Sequence, residues 1–372
     1  MYNKDKRIVL TLDAGGTNFV FSAIQGFREI VEPVNIPAIT DNLDSCLNVI
    51  VHGFQQVINK LPVQPVAISF AFPGPADYVN GVIGDLPNFS AFRGGVPLGA
   101  FLKEKFHIPV YINNDGNLFA YGEALAGVLP MINKELELAK NPKRYHNLLG
   151  ITLGTGFGAG VVIDNCLLIG DNGCGSDIWH MRNAKYPNLI TEESVSIRAV
   201  KRVYEEKSGQ KDTSLTPLDI FNIAEGTRNG NINAAIQSFE ELGEIAASAI
   251  INALDIVDGL VVIGGGLSGA SKYFLPSMLR EMRKFLNTFS GEKFPILEME
   301  VYNLMDQEDH WEFLKNSSIM VKVPKSQLKV LYENSKKTGI AVSSLGTNKA
   351  VSLGAYAFAL HQLDGINKSD TY

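Results

Sequence analysis

Residues 10–24 read LTLDAGGTNFVFSAI, and the rest of the chain is organised around this stretch. An apolar run reaches Asp13, turns on Gly15 and Gly16, and resumes through Thr17 and Asn18 into Phe19, Val20, Phe21 and Ile24. The pattern predicts strand, tight glycine turn and strand: a hairpin whose tip offers backbone N–H groups, hydroxyl and amide side chains and one carboxylate. Glycine lets the backbone approach an anion with no Cβ in the way, and Thr17 can donate to a phosphate oxygen. Asp13 would repel that phosphate unless a divalent cation lay between them, so the tip asks for a nucleotide with Mg²⁺. An ordinary hairpin turn with a capping Asp fits the same six residues equally well, and the rest of the chain has to decide.

The 372 residues, 45% hydrophobic and 19% charged, are enough for about two globular domains. A net charge of −6 with scattered Lys and Arg leaves no footprint for a nucleic-acid backbone or an anionic membrane surface. The first apolar run is cut by Asp13 too early for a signal peptide and no stretch approaches a membrane span, so a cytoplasmic location is expected. Cys46, Cys166 and Cys174 make neither a disulfide framework nor a CxxC metal clip, and are expected as reduced thiols.

Beyond the hairpin, residues 29–38 predict a third strand, and Leu43, Leu47, Ile50, Val51, Phe54, Val57, Ile58 and Leu61 recur at helical spacing. Residues 65–75, PVAISFAFPGP, read as a buried strand ending at Pro73-Gly74-Pro75. Asn88 lies in a loop, where an Asn by itself is most simply a turn former. Residues 96–127 predict helix, strand and helix, with Asn113, Asn114, Asp115 and Gly116 at the strand's carboxyl end. Asp115 therefore sits where a strand hands over to a helix, a place for an N-cap and equally for a base or ligand contact.

Residues 129–147 are polar and helix-friendly, an excursion from the sheet. Residues 148–170 then repeat the opening design: a strand ends at Gly154-Thr155-Gly156, another begins near Gly158, and Asp164-Asn165 makes a further hairpin turn. Two such hairpins about a domain length apart suggest two halves of one architecture, each offering a loop to the same phosphate chain. Three helical stretches lead to GLVVIGGGLSGA at 259–270, a strand followed by Gly264, Gly265 and Gly266 and a new helix. Residues 290–340 are poorly periodic, with a strand expected near LEMEVY at 297–302 and a helix near KSQLKVLYE at 325–333. The C-terminal stretch reads as a helix whose Gly354, Ala355, Ala357 and Ala359 allow close packing on the sheet of the first half.

Six motifs in this order, DAGGT at 13–17, PGP at 73–75, PN at 87–88, NND at 113–115 with GE at 122–123, LGTGFGAG at 153–160 and IGGGLS at 263–268, resemble the ROK family of the actin-like ATPase superfamily. The resemblance implies an α/β fold of two RNase H-like domains around a hinged cleft. The first would comprise 1–126 plus 348–372; the second, 127–347, would carry the second phosphate loop, the adenosine side and the surface of a homodimer. It further implies an ATP-dependent kinase of a hexose or N-acetylhexosamine, transferring the γ-phosphoryl group to a hydroxyl, expected at C6.

Position by position, Asp13, Gly15, Gly16, Thr17 and Asn18 resemble the first phosphate loop, with Asp13 orienting Mg²⁺ through water. Gly154, Thr155, Gly156 and Gly158 resemble the second loop, and Gly264, Gly265 and Gly266 the adenosine-side turn. Asn88 and Asn114 correspond to sugar ligands and Asp115 to the catalytic base. In GCGSDIWHMR at 173–182, Asp177 stands where the family has a sugar-binding Glu and His180 matches its His; Glu192 matches the other sugar-binding Glu. Family members follow that His with a cysteine-rich zinc segment, whereas residues 181–192 hold no cysteine, so no zinc is expected. The rival readings are a non-catalytic sugar-binding member and a regulatory one; a repressor would carry a helix-turn-helix ahead of the first hairpin, where fewer than a dozen residues stand.

Overall fold

In the computed structural model, which describes residues 2–15, 17–86, 90–211 and 214–369 with side chains to 365, the opening hairpin comprises β1 (Val9–Ala14) and β2 (Asn18–Gln25). The strands are antiparallel, with Asp13 opposite Val20 and Ala14 opposite Phe19. Two short strands, β3 (Arg28–Glu29) and β4 (Val34–Pro37), both pair with β2. Helix α1 (Leu43–Ile58) starts at Asn42, whose side chain accepts the Ser45 N–H, and buries Ile50, Phe54 and Val57. Gly53 is needed there because a Cβ would lie 2.2 Å from the Phe21 ring.

The largely buried β5 (Ala67–Ala71) lies between β1 and β8 (Val110–Asn113) and runs parallel to both. Between β5 and β8 come the small hairpin β6 (Ala76–Asp77) and β7 (Val82–Ile83) and the helix α2 (Leu98–Phe106). Helices α3 (Asp115–Ala126) and α4 (Val128–Leu138) follow, the latter taking up the start of the polar excursion. Then come β9 (Leu148–Leu153), β10 (Phe157–Ile163) and β11 (Cys166–Leu167). Asp164 and Asn165, both at positive φ, form the tight turn between the last two, as the Asp-Asn pair predicted.

Three helices, α5 (Ile197–Ser208), α6 (Pro217–Ala224) and α7 (Ile232–Val257), lead to β12 (Leu260–Gly264) and α8 (Ser271–Met282). The hairpin β13 (Phe285–Asn287) and β14 (Lys293–Pro295), strand β15 (Glu300–Asn303) and helix α9 (Gln307–Leu314) follow. A second hairpin, β16 (Ile319–Lys322) and β17 (Lys329–Tyr332), precedes β18 (Lys337–Val342) and the long α10 (Thr347–Ser369). The strand expected near 297–302 is β15, but the helix expected at 325–333 is absent: those residues form the turn and second strand of a hairpin. Pro324 precedes Lys325, which sits at positive φ, and Val330 and Tyr332 pair with Val321 and Ile319, so turn chemistry and β-favouring side chains decide a stretch with little periodicity.

The chain divides into two compact units, residues 1–127, 160–176 and 345–372, and residues 128–159 and 177–344. In the first, the sheet order is β3-β2-β1-β5-β8, with α1 on one face and α10 packed on α3, β1 and β5. A Cβ on Gly354 would lie 1.8 Å from the Leu118 carbonyl and one on Gly122 1.9 Å from that of Ala350, so α3 and α10 touch backbone to backbone. The small residues of the last helix were expected to pack closely on the sheet; α10 does pack on β1 and β5, but the backbone-close contact is with α3. Residues 160–176 pack with this unit because Gly160 lies directly on the start of α3, where a Cβ would sit 2.4 Å from the Gly116 carbonyl.

In the second unit, β9, β12, β18 and β15 are parallel neighbours in that order, and the buried α7 packs against α5, α6 and α8. Among the described residues no helix is long and apolar enough to cross a membrane.

Candidate functional site

In the first unit β1, β5 and β8 are parallel, so their carboxyl ends share one edge of the sheet, and the chemistry gathers there. At the first turn the Gly15 N–H donates to the Asn18 carbonyl at 3.0 Å, and a Cβ on Gly15 would lie 2.9 Å from that oxygen. Thr17 and Asn18 are exposed at the tip, their side chains 3.5 Å apart. Gly16 lies outside the described residues, as does Asn88. Asp13 is half-buried, and burial raises its carboxyl above the ordinary range. Its Oδ2 accepts from Nδ2 of Asn348 at 2.8 Å, in the first turn of α10. Asn348 was missed in sequence; 335 residues separate the pair, and no local pattern marks it.

At the end of β8 the N-cap of α3 is Asn114, not Asp115: Asn114 Oδ1 accepts the Asn117 N–H at 2.6 Å, leaving its amide Nδ2 as the donor. Asp115 is the first helical residue, exposed, with Oδ1 accepting the Gly116 N–H at 2.8 Å. Below it, Asn113 Oδ1 accepts from Asn117 Nδ2 at 3.0 Å, and Ser176 Oγ donates to Asn117 Oδ1 at 2.9 Å. These buried side chains hold the helix start, and the sequence reading had given none of Asn113, Asn117 and Ser176 a role.

In the second unit the carboxyl ends of the parallel β9 and β12 lie side by side and bear two glycine turns. The Gly154 N–H donates to the Gly156 carbonyl at 3.0 Å, the Gly154 carbonyl accepts the Ile197 N–H at 2.9 Å, and Thr155 is exposed at the tip. Gly158 lies in β10. Gly264 ends β12 opposite Thr152, whereas Gly265, at φ 89°, presses on β9 so closely that a Cβ would lie 2.2 Å from the Leu153 carbonyl. A Cβ on Gly266 would meet nothing within 4 Å. Of the three glycines, Gly265 is thus a packing requirement and Gly266 faces open space.

Glu192, half-buried in the 3-10 turn Thr191–Glu193, accepts the Phe157 N–H through Oε2 at 3.0 Å, and a Cβ on Gly156 would lie 2.5 Å from that oxygen. Arg198 approaches its other oxygen at 3.4 Å. The carboxylate expected to meet a sugar therefore also fastens the second glycine turn. Asp177 is half-buried ahead of the 3-10 turn Ile178–His180, and His180 is exposed with its ring 5.0 Å from that of Trp179. Among the described residues neither Asp177 nor His180 has a hydrogen-bond partner, so both are available to a ligand.

Residues 181–194 connect these two 3-10 turns through a network the sequence did not reveal. Asn183, fully buried, donates from Nδ2 to Ser194 Oγ at 2.8 Å and to the Ile190 carbonyl at 3.3 Å. Its Oδ1 accepts the N–H groups of Lys185 and Tyr186, both at 3.0 Å. Lys185, Tyr186 and Arg202 converge on the buried Glu241. Among the described residues no three His, Cys, Asp or Glu side chains form a group that could hold a metal ion.

The sequence matches the ROK family over residues 9–306, and the chain belongs to that family. It is 57% identical to a glucokinase from Parabacteroides distasonis whose crystal structure superposes with a TM-score of 0.88, covering 97% of this chain and 99% of that one. A glucokinase from Thermotoga maritima is 26% identical over 321 residues, 78% of this chain and 93% of its own. An N-acetyl-D-glucosamine kinase from Vibrio cholerae is 28% identical over 275 residues, 69% of this chain and 83% of its own. The α/β fold is thereby that of the ROK sugar kinases, the actin-like ATPase fold.

Proposed function

We propose that this sugar kinase of the ROK family transfers the γ-phosphoryl group of ATP to the C6 hydroxyl of a hexose or N-acetylhexosamine, with Asp115 as the general base. The observation that carries the reading is the Asp115 carboxylate, exposed at the carboxyl end of β8 and fixed at the first residue of α3. A primary alcohol is a weak nucleophile at neutral pH. As its oxygen attacks the γ-phosphorus and the bond to the bridging oxygen of ADP breaks, the proton passes to Asp115.

The two glycine turns supply donors to the charged phosphate oxygens, and Gly264 to Gly266 take the adenosine side. Asn114 through its amide, Asp177, His180, Glu192 and, by resemblance, Asn88 hold the sugar hydroxyls. Asp13 fits a nucleotide-bound Mg²⁺, because Mg²⁺ is held by one or two carboxylates plus substrate phosphates and waters rather than by an all-protein cage, and Asn348 occupies only one of its oxygens. When bound, that ion would neutralise charge on the phosphates. Base and first loop belong to the unit of 1–127, 160–176 and 345–372, and second loop and adenosine side to the unit of 128–159 and 177–344. The protein acts as a homodimer in the cytoplasm, where its three unpaired cysteines stay reduced.

The test is ADP release measured over glucose, mannose, fructose, N-acetylglucosamine and N-acetylmannosamine. Sugar-dependent release that Asp115→Asn abolishes supports the reading. No release with any of the five, while sugar still binds, would make the chain a non-catalytic family member.

A further inference from the structure

Residues 181–191 fold back on themselves between the two 3-10 turns that bear His180 and Glu192. The Met181 carbonyl accepts both the N–H and the hydroxyl of Thr191, ten residues on, each at 2.9 Å. Arg182 and Ile190 form an antiparallel bridge, and the Asn183 N–H donates to the Leu189 carbonyl at 3.0 Å. His180 directly precedes this closure and Glu192 directly follows it, so the closure sets the spacing of the two. Residues 181–194 hold neither Cys nor His, the usual donors of a structural zinc site, so zinc does not fit this segment and its closure falls to hydrogen bonds.

The tip of the loop is held from outside it. Lys185 and Tyr186, whose N–H groups bond to Asn183 Oδ1, both reach Glu241 of α7. Lys185 Nζ donates to Glu241 Oε2 at 2.5 Å, and the Tyr186 hydroxyl donates to Oε1 at 3.3 Å. The Arg202 guanidinium of α5 lies 3.7 Å from the same Oε1 and 5.6 Å from the centre of the Tyr186 ring. The Glu241 side chain is 7% exposed and that of Lys185 45%, so the acid is the fixed point to which the loop is tied. Desolvating a carboxylate is costly, and well-packed apolar residues of the same volume are often as stabilising as a buried ion pair. Stability alone therefore accounts poorly for a charge at Glu241, whereas a carboxylate that two loop residues must meet selects one loop geometry.

We infer that Glu241 is a positioning residue for the sugar: through Lys185 and Tyr186 it holds the 181–191 loop, whose closed ends set His180 and Glu192 at their spacing. The inference rests on the sugar contacts of His180 and Glu192 in the proposed function. The test is the double variant Lys185→Met/Glu241→Met of the full chain, which keeps side-chain bulk and removes the charges. Urea unfolding, steady-state kinetics with the sugar that the parent prefers, and calorimetry of that sugar without ATP are compared with the parent. The expected result is unfolding close to that of the parent and a sugar KM and calorimetric Kd raised about tenfold, with kcat and the ATP KM within about twofold. Glu241→Gln, which keeps an acceptor for the Tyr186 hydroxyl, should give a smaller loss of the same kind and serves if the double variant does not fold. Sugar affinity unchanged in a folded variant, or equal losses for sugar and ATP that track lost stability, overturns the positioning role and leaves the kinase reading standing. Calorimetry reads the inference even without turnover, and a parent that binds none of the five sugars overturns both.

Discussion

Asp13 stands on the strand that leads into the first glycine turn, whereas the second turn meets its carboxylate, Glu192, from 35 residues beyond the N–H that it accepts. Asp13 is steadied by an amide on one oxygen, and its other oxygen has no partner among the described residues. Glu192 is bonded to the backbone of the turn that it supports. Similar strand–glycine–strand sequences thus carry an acid with one oxygen unpartnered among the described residues in one unit and meet an acid bonded to the backbone of the turn in the other; under the proposed function the first would seat a cation and the second would cradle an anion. A local acid remains free for chemistry, while an acid recruited across the fold is already at work holding the loop.

That contrast can be broken or sharpened experimentally. The largest effect is expected in the first unit, where Asp115→Asn should lower kcat by roughly 10²–10⁴-fold, with sugar affinity by calorimetry unchanged. Asp13→Asn should lower kcat/KM for ATP by about 10²-fold. Glu192→Gln, which keeps an oxygen for the Phe157 N–H, should move the sugar KM instead; equal losses for ATP in the two variants would erase the distinction between the turns.

Stability measurements separate the second unit's glycines. Gly265→Ala forces a Cβ against β9 at positive φ and should cost about 2–4 kcal/mol in urea unfolding, whereas Gly266→Ala should stay within about 1 kcal/mol of the parent. Glu192→Ala and Asn183→Ala each orphan buried donors or acceptors and should cost about 1–3 kcal/mol. The smallest effect is expected from Asn348→Ala: Asp13 keeps its charge but loses its steadying amide, and kcat should fall only a few-fold, about 1 kcal/mol.

Much of the fold was legible because its signals are local. The apolar alternation of residues 10–24, the helical spacing of α1, the Asp-Asn turn and the small residues of α10 each follow from neighbours in sequence. The hairpin at 319–332 was misread at 325–333 because it is an exposed ribbon with no buried face, so periodicity had nothing to report.

By itself, the sequence determined the strand–glycine–strand repeats, the placing of Asp115 at a strand's carboxyl end and the order of motifs that marks the family. Only the tertiary structure decided that Asn114 caps the helix in place of Asp115, that Asn348 steadies Asp13, that Glu192 fastens the second turn and that Asn183 ties the loop between the two 3-10 turns. The reason is physical. Turns and amphipathic periods arise from interactions a few residues apart, whereas a hydrogen bond across the fold is specified by packing that places its partners and leaves no periodic trace in the chain.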